Sequence, residues 1–184
     1  MRDIEFPSNS NDEALAMRSD APETLKLIAL DQDDLKILSA HLQDAVIRLS
    51  DMAYLPSEHR FAAILNRFDW LSVEDGDGAR PNLRRCRSAL RFDRVKRAQV
   101  QKIRPGEPAA VAELLAVTYE DADPPGGYVT LYFAGGGAVR LEVECIEAEL
   151  RDLGAAWRTE IMPKHSVCDF EAMPATAKFL QDTE

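Results

Sequence analysis

Three arginines at matching positions of one segment are the residues in this sequence best suited to bind an anion. Arg85, Arg87 and Arg91 share one parity in the run RRCRSALRF, and Cys86 and Leu90 take the other. Side chains alternate between the two faces of a β-strand, so this spacing predicts a cationic face opposite an apolar one. Guanidinium groups bind carboxylates and phosphates through paired hydrogen bonds. The alternative is that neighbouring Asp and Glu side chains neutralise the arginines within the fold.

The segment around these arginines is basic, although the chain as a whole is acidic. Residues 80–104 contain ten Lys/Arg and one Asp, a surplus of nine positive charges in a chain of net charge −10, which leaves −19 for the remainder. The negative total argues against a general affinity for nucleic acid. The face of the strand that carries these arginines also has no aromatic residues between them on which bases would stack. The pattern predicts an acidic protein or a phosphorylated ligand as the partner.

A second candidate site lies in the sequence NRFDW, late in a predicted strand. Arg67, Asp69 and Trp70 bring a cation, a carboxylate and an indole close together. Such a group could line a ligand pocket, and an enzyme with a pocket here is one alternative function. The competing interpretation is an exposed polar stripe with aromatic residues packed behind it.

Other motifs do not favour catalysis or metal binding. The run VEDGDG resembles part of a calcium loop but lacks the downstream bidentate Glu. The glycines at 135–137 lack the GK[ST] sequence of a phosphate loop. No histidine has a recognisable nucleophile beside it or a second ligand at metal-binding spacing. We therefore predict no catalytic residue, no metal and no cofactor.

Cysteine usage and hydropathy predict a cytoplasmic protein. Cys86, Cys145 and Cys168 are odd in number and widely spaced, which is typical of reduced thiols in a reducing compartment. The N-terminal residues lack the apolar core of a signal peptide. No run approaches the ~18 apolar residues of a membrane-spanning helix, so we predict no membrane insertion.

Hydrophobic periodicity predicts the elements that position the candidate residues. Asp31 is a suitable N-cap for a helix over residues 31–43. A change of parity near Ser50 indicates a bulge, and a second break lies between Phe92 and Val95. The strands predicted before the glycine-rich turn cover residues 25–30, 45–55, 60–71, 84–103 and 113–121.

The run YVTLYFAGGGAVRLEVECIEAELRDLG predicts a hairpin followed by a helix. Its two strands cover residues 128–133 and 139–145, with glycines 135–137 as the turn. Ile146, Leu150 and Leu153 then follow at i, i+4 and i+7, which predicts an amphipathic helix over 144–153 that ends at Gly154.

These elements predict an α+β fold. Its centre is a bent antiparallel sheet or split barrel of about six or seven strands, with the early helix and the C-terminal helix capping it. Residues 24–158 form the single predicted domain. Residues 1–23 are expected to be a disordered arm, and residues 159–184 a mobile tail.

Several blocks resemble an uncharacterised bacterial family. HLQDAVIRLSDMAYLP, FAAILNRFDW, RSALRFDRV and FAGGGAVRLEVECIEAELRDLG are similar to core blocks of small, mainly alphaproteobacterial proteins catalogued as a domain of unknown function. The likeness covers residues 25–157 and implies no reaction, cofactor or catalytic residue. A weaker likeness in fold is to pleckstrin-homology-like barrels, in which antiparallel strands precede one C-terminal helix that plugs an open end.

Taken together, the residues predict a non-catalytic binding or adaptor module. Its partner, an acidic protein or a phosphorylated ligand, would bind the face formed by Arg85, Arg87 and Arg91. A structural subunit that forms homodimers through exposed strand edges remains open as a further alternative.

Overall fold

The structure is a single open antiparallel sheet with one helix packed against it. This computed structural model describes residues 24–70, 83–103 and 110–163. Within them, nine strands pair in the order β1-β9-β4-β3-β2-β6-β7-β8-β5. The elements are β1 (Lys26–Ala29), α1 (Gln32–Leu42), β2 (Ala45–Leu55), β3 (Arg60–Phe68), β4 (Arg84–Phe92), β5 (Val95–Gln101), β6 (Val111–Asp123), β7 (Gly126–Phe133), β8 (Ala138–Val143) and β9 (Ala148–Arg158).

The described residues make the protein mainly β, with more strands than the sequence predicted. The disordered arm predicted for residues 1–23 lies outside the described residues. The same holds for the polar loop over 72–82 and for the tail beyond residue 163.

The early helix forms where its capping signal predicted. The Asp31 side chain accepts a hydrogen bond from the Asp34 backbone N–H at 2.8 Å, which satisfies one of the free donors of the first turn. One face of α1 is apolar and packs on β1 and β6. Its buried residues are Leu35, Leu38 and Leu42.

The sheet curls strongly but does not close into a barrel. The register between β2 and β3 shifts between Ile47 and Met52, which confirms the irregularity predicted near Ser50. Strand β5 returns close to β3, where the Val95 N–H donates to the His59 carbonyl at 2.8 Å. Among the described strands β5 nevertheless pairs only with β8, so its other edge has no strand beside it.

The predicted strand over 84–103 is two strands on different parts of the sheet. The chain turns at Asp93–Arg94, where Arg94 adopts a positive φ of 61°. β4 lies between β3 and β9, whereas β5 forms the far edge. The parity break between Phe92 and Val95 was the sequence signal for this turn.

The predicted C-terminal helix over 144–153 is wrong, because these residues form a turn and the start of β9. Ala148, Leu150 and Asp152 alternate into the core, and β9 hydrogen-bonds β1 on one side and β4 on the other. Tertiary pairing overrides the helix propensity of Glu, Ala and Leu here. Leu153 is 49% exposed instead of buried. The likeness to pleckstrin-homology-like barrels depended on that helix, and the described residues give it no support.

The single helix of the described residues is too short to cross a lipid bilayer.

Candidate functional site

Strand β4 turns one face to the core and the other to solvent, with the alternation that the sequence predicted. Cys86 and Leu90 are buried, while Arg87 and Arg91 are exposed. Arg85 has the outward parity as well, but it is only partly exposed. The three predicted arginines therefore share a face and differ in their contacts.

Arg85 is used by the fold. Its Nη1 donates to the backbone carbonyls of Asp44 and Asn66, at 3.1 and 3.2 Å. Its guanidinium carbon lies 5.9 Å from the centroid of the Phe68 ring, within the range of a cation–π contact. The Nη1 group of Arg85 is therefore occupied within the fold.

Arg91 is partly neutralised by two carboxylates. Its Nε lies 2.9 Å from Asp93 Oδ2, and its Nη2 lies 3.0 Å from Glu149 Oε2 on the neighbouring strand β9. The side chain remains 44% exposed. The two carboxylates are mostly buried, and they also pair with Arg60 and Lys26, so Arg91 belongs to a small charge network and only part of its guanidinium faces solvent.

Arg87 is joined on this face by two cations from other strands. The register places Arg151 of β9 opposite Ala89 of β4, and Lys26 of β1 opposite Arg151. Within the described ranges neither Arg87 nor Arg151 makes an ion pair, and Lys26 Nζ lies 4.0 Å from Glu149 Oε1. We use the name basic face for Lys26, Arg87, Arg91 and Arg151.

Two members of the basic face are not predictable from the strand pattern around Arg87. Arg151 lies in the helix predicted over 144–153, and on a helix its position says nothing about the face of a strand. Lys26 was placed correctly on a strand, but sequence does not show which strand lies beside it. The sequence signal for β9 was the alternation of apolar and charged residues over 148–151.

Exposed apolar side chains accompany the cations. Ile28 lies opposite Glu149 in the register and is 55% exposed. Trp157 lies opposite Arg85 and is 42% exposed. Trp and Arg are among the residues that are enriched at protein-binding surfaces.

The second candidate, around Arg67, is mostly a buried ion pair. Arg67 Nε and Nη2 donate to Asp152 Oδ1 and Oδ2 at 2.8 and 2.7 Å. Ser88 Oγ donates to Oδ1 at 2.6 Å, and the Leu25 backbone N–H donates to Oδ2 at 3.1 Å. Only 3% of the Arg67 side chain is exposed. The arrangement leaves little of either charge free for a ligand.

Asp69 and Trp70 extend this cluster towards the surface. Asp69 Oδ1 lies 3.7 Å from Arg67 Nη1. The Trp70 ring packs on the Phe68 ring with centroids 4.6 Å apart, and its Nε1 donates to the Gln43 carbonyl at 3.3 Å. The structure therefore brings Arg67 and Asp69 together and holds the indole through internal contacts.

Burial and the charge of Arg67 shift the pKa values of three titratable groups at this end of the core. Burial raises the pKa of Asp152, but hydrogen bonds from Arg67 and Ser88 and the charge of Arg67 outweigh it and hold the pKa below its ordinary value. Burial, helped by the nearby charge of Arg67, lowers the pKa of His41. Burial raises the pKa of the Cys86 thiol. A thiol with a raised pKa is less often ionised at neutral pH, so Cys86 is a poor nucleophile.

Metal ligands do not cluster in the part of the chain that the structure describes. No group of three or more His, Cys, Asp or Glu side chains there could hold a metal ion.

The comparison with protein families agrees with the resemblance of the core blocks. The model of the family described as "Protein of unknown function (DUF2948)" matches residues 25–165. The chain belongs to this family. The DUF2948 match runs from the residue before β1 to beyond β9 and so includes the basic face. No curated protein and no solved structure matches the chain.

Proposed function

We propose that this protein is a non-catalytic binding module that docks an acidic protein partner on its basic face. The observation that carries the proposal is the register of β1, β9 and β4, which gathers Lys26, Arg87, Arg91 and Arg151 on one exposed side of the sheet. The cations come from three strands, so the patch depends on the fold rather than on one basic run of sequence.

A protein partner fits this surface better than a small ligand. Small-molecule sites are usually concave and enclose most of their ligand. The basic face is one side of a sheet, with Ile28 and Trp157 exposed beside the charges. Such a mixture of apolar anchors and arginines favours a broad protein interface.

Exposed charges of this kind contribute mainly to the rate and selectivity of association. Complementary charge accelerates encounter, and salt screens it over about 8–10 Å. Binding should therefore weaken steeply as salt is added, and reversing the charge of Arg87 and Arg151 should weaken it further. Because both side chains are exposed on strands, their replacement leaves the core intact.

The test measures the anisotropy of a fluorescein-labelled poly-glutamate peptide over a range of NaCl concentrations. We expect salt-dependent binding by the wild type and at least about tenfold weaker binding by Arg87→Glu/Arg151→Glu. The matched control is Arg48→Glu/Arg97→Glu, which makes the same change of charge at exposed positions on β2 and β5. Equal losses in both variants, or binding that salt does not affect, would count against the basic face. The wild type and Arg87→Glu/Arg151→Glu can then serve as bait and control for capturing partners from a lysate.

Self-association through strand edges is the alternative function that the fold keeps open. The free edge of β5 carries Lys96 and Arg97, both exposed, and charges at an edge oppose pairing with a second copy. A dimer detected by light scattering and abolished by a proline within β5 would favour the structural subunit instead.

A further inference from the structure

Strand β1 forms one edge of the sheet and lies beside the basic face. Among the described strands it pairs only with β9, so its outer edge has no strand beside it. Leu27 and Ala29 turn towards the core, whereas Lys26 and Ile28 turn to the side of the basic face. Solvent reaches this edge, because 54% of the Lys26 side chain and 55% of Ile28 are exposed.

The hydrogen-bond pattern shows which backbone groups of β1 face outward. The register places Leu25 opposite Asp152, and the Asp152 N–H donates to the Leu25 carbonyl at 2.9 Å. Directly opposite pairs of an antiparallel ladder alternate between bonded and non-bonded. Every second residue of β1 therefore bonds to β9, beginning with Leu25. The N–H and C=O groups of Lys26 and Ile28 point the other way, to the outer edge.

This edge therefore presents two backbone donors and two backbone acceptors. No other residue in the described part of the chain forms a hydrogen bond with these four groups. The next outward amide, that of Leu30, is satisfied within the fold, since it donates to Asp34 Oδ2 at 3.1 Å. The available edge thus ends where helix α1 begins. Backbone groups at such an edge are satisfied either by water or by a further strand.

The side chains beside this edge favour an acidic strand. A residue added opposite Lys26 would lie on the basic face, with its Cβ about 5 Å from the Cβ of Lys26. Arg151 follows in the same row, because it pairs with Lys26 across β1 and β9. Lys26 Nζ lies 4.0 Å from Glu149 Oε1, a long contact that leaves the ammonium accessible to a second carboxylate. A residue added opposite Ile28 would meet an apolar side chain.

We propose that the acidic partner binds as an added β-strand on the outer edge of β1. This inference rests on the proposed function and specifies how the partner reaches the basic face. Main-chain hydrogen bonds to Lys26 and Ile28 would supply affinity, as is usual in strand addition. An acidic side chain opposite Lys26 and an apolar one opposite Ile28 would supply selectivity. A lysine at an edge opposes pairing between two copies of one chain, which favours a different protein as the partner.

The experiment measures hydrogen exchange of the backbone amides in the isotopically labelled full chain by NMR, with and without the peptide acetyl-TETVTET-amide. When extended, this peptide has both glutamates on one face with the valine between them. The Lys26 and Ile28 amides should exchange quickly in the free protein, and saturating peptide should slow both by at least about tenfold. The amides of β5, at the opposite edge of the sheet, should not change. The peptide acetyl-TKTVTKT-amide, which has lysine in place of glutamate, should protect neither edge.

A proline variant tests the same edge by binding affinity. Ile28→Pro removes the outward N–H, and proline is tolerated on an edge strand where its nitrogen faces solvent. Affinity for acetyl-TETVTET-amide should fall at least about tenfold, because a main-chain hydrogen bond is lost and the ring meets the added strand. Ile28→Val is the matched control, since it keeps the N–H and a branched side chain and should bind like the wild type. Thermal melts show whether each variant is folded, and the exchange measurement on the wild type does not depend on them.

Three results would overturn the strand addition. They are binding of the glutamate peptide without protection of the Lys26 and Ile28 amides, equal protection by the lysine peptide, and protection of both amides before any peptide is added. The last result would show that another part of the chain or a second copy already covers this edge. If the wild type binds the glutamate peptide without such protection and Arg87→Glu/Arg151→Glu loses that binding, the proposed function holds and only the strand addition fails. If Arg87→Glu/Arg151→Glu binds the peptide as tightly as the wild type, the proposed function itself fails.

Discussion

Arg67 and Asp152 form a two-point ion pair inside the sheet, although 85 positions separate them in the sequence. The pair joins β3 to β9, and Ser88 of β4, which lies between them, donates to the same carboxylate. Leu25 and Asp152 are further joined by two hydrogen bonds, one from each backbone N–H. The carboxylate therefore links four separate segments of the chain.

We expect Asp152→Asn to lower the free energy of unfolding by about 3–5 kcal/mol, because the buried Arg67 guanidinium loses its two-point partner and keeps only the longer contact with Asp69. Urea denaturation measures the change. The matched control is Asp121→Asn, whose carboxylate is exposed and accepts a hydrogen bond from Gln32; it should change stability by less than about 0.5 kcal/mol. Equal effects of the two substitutions would contradict the structural role of the pair.

Replacing both partners should cost much less than replacing one. In Arg67→Met/Asp152→Leu, apolar groups of similar length take the place of both charges, and such replacements of buried pairs are often close to neutral. We expect the double variant to be more stable than Asp152→Asn in the same urea assay. A double variant as unstable as the single one would show that the ion pair itself is required.

The stability of the protein should depend on His41 between about pH 7 and pH 5. The folded-state pKa of His41 is lowered by burial and by the charge of Arg67, below the ordinary value of about 6.5 in the unfolded chain. As the pH falls through that value the unfolded state binds the proton first, so stability decreases. His41→Gln should flatten the plot of unfolding free energy against pH in this window. If His41→Gln left the slope of unfolding free energy against pH unchanged, the lowered pKa of His41 would be contradicted.

Leu150 and Leu153 distinguish the strand β9 from the helix that the sequence predicted. Leu150 is fully buried, so Leu150→Ala should destabilise the protein by about 2–5 kcal/mol. Leu153 is 49% exposed, and Leu153→Ala should therefore cost less than about 1 kcal/mol. Both are the same substitution on neighbouring turns of a hypothetical helix. Similar losses in urea denaturation would favour that helix over the strand.

Gly127 is required by the close approach of β6 and β7. A Cβ at this position would overlap the Glu120 carbonyl oxygen and the ring of Tyr119. We expect Gly127→Ala to destabilise the protein by about 1–3 kcal/mol, the usual cost of overpacking. Gly137→Ala is the control, because its nearest neighbour is the Ile103 side chain at 3.3 Å, which can move. A thermal melt in which both variants lose the same stability would contradict this contact.

Local signals predicted much of the fold. Asp31 marks the start of α1 because a side-chain acceptor satisfies the free N–H groups of the first turn. The alternation over β4 and the irregularity in β2 were also visible, since each depends on residues close together in sequence. The outward parity of Arg87 and Arg91 followed from the same local rule.

Features that depend on distant pairing could not be predicted in this way. Residues 144–153 satisfy a helical spacing of apolar groups, and pairing with β1 and β4 makes the part from Ala148 onward extended instead. That pairing also brings Arg151 and Lys26 beside Arg87, and it places Asp152 against Arg67. A single sequence contains the parity of each strand but not the identity of its neighbours.

Strand β9 holds its inner and outer charges on consecutive residues. Asp152 is clamped within the interior, and Arg151, immediately before it, faces solvent. The buried ion pair between Arg67 and Asp152 therefore fixes the backbone position from which the Arg151 side chain extends. Weakening that ion pair should also weaken the proposed binding of an acidic partner, even though every exposed charge is unchanged.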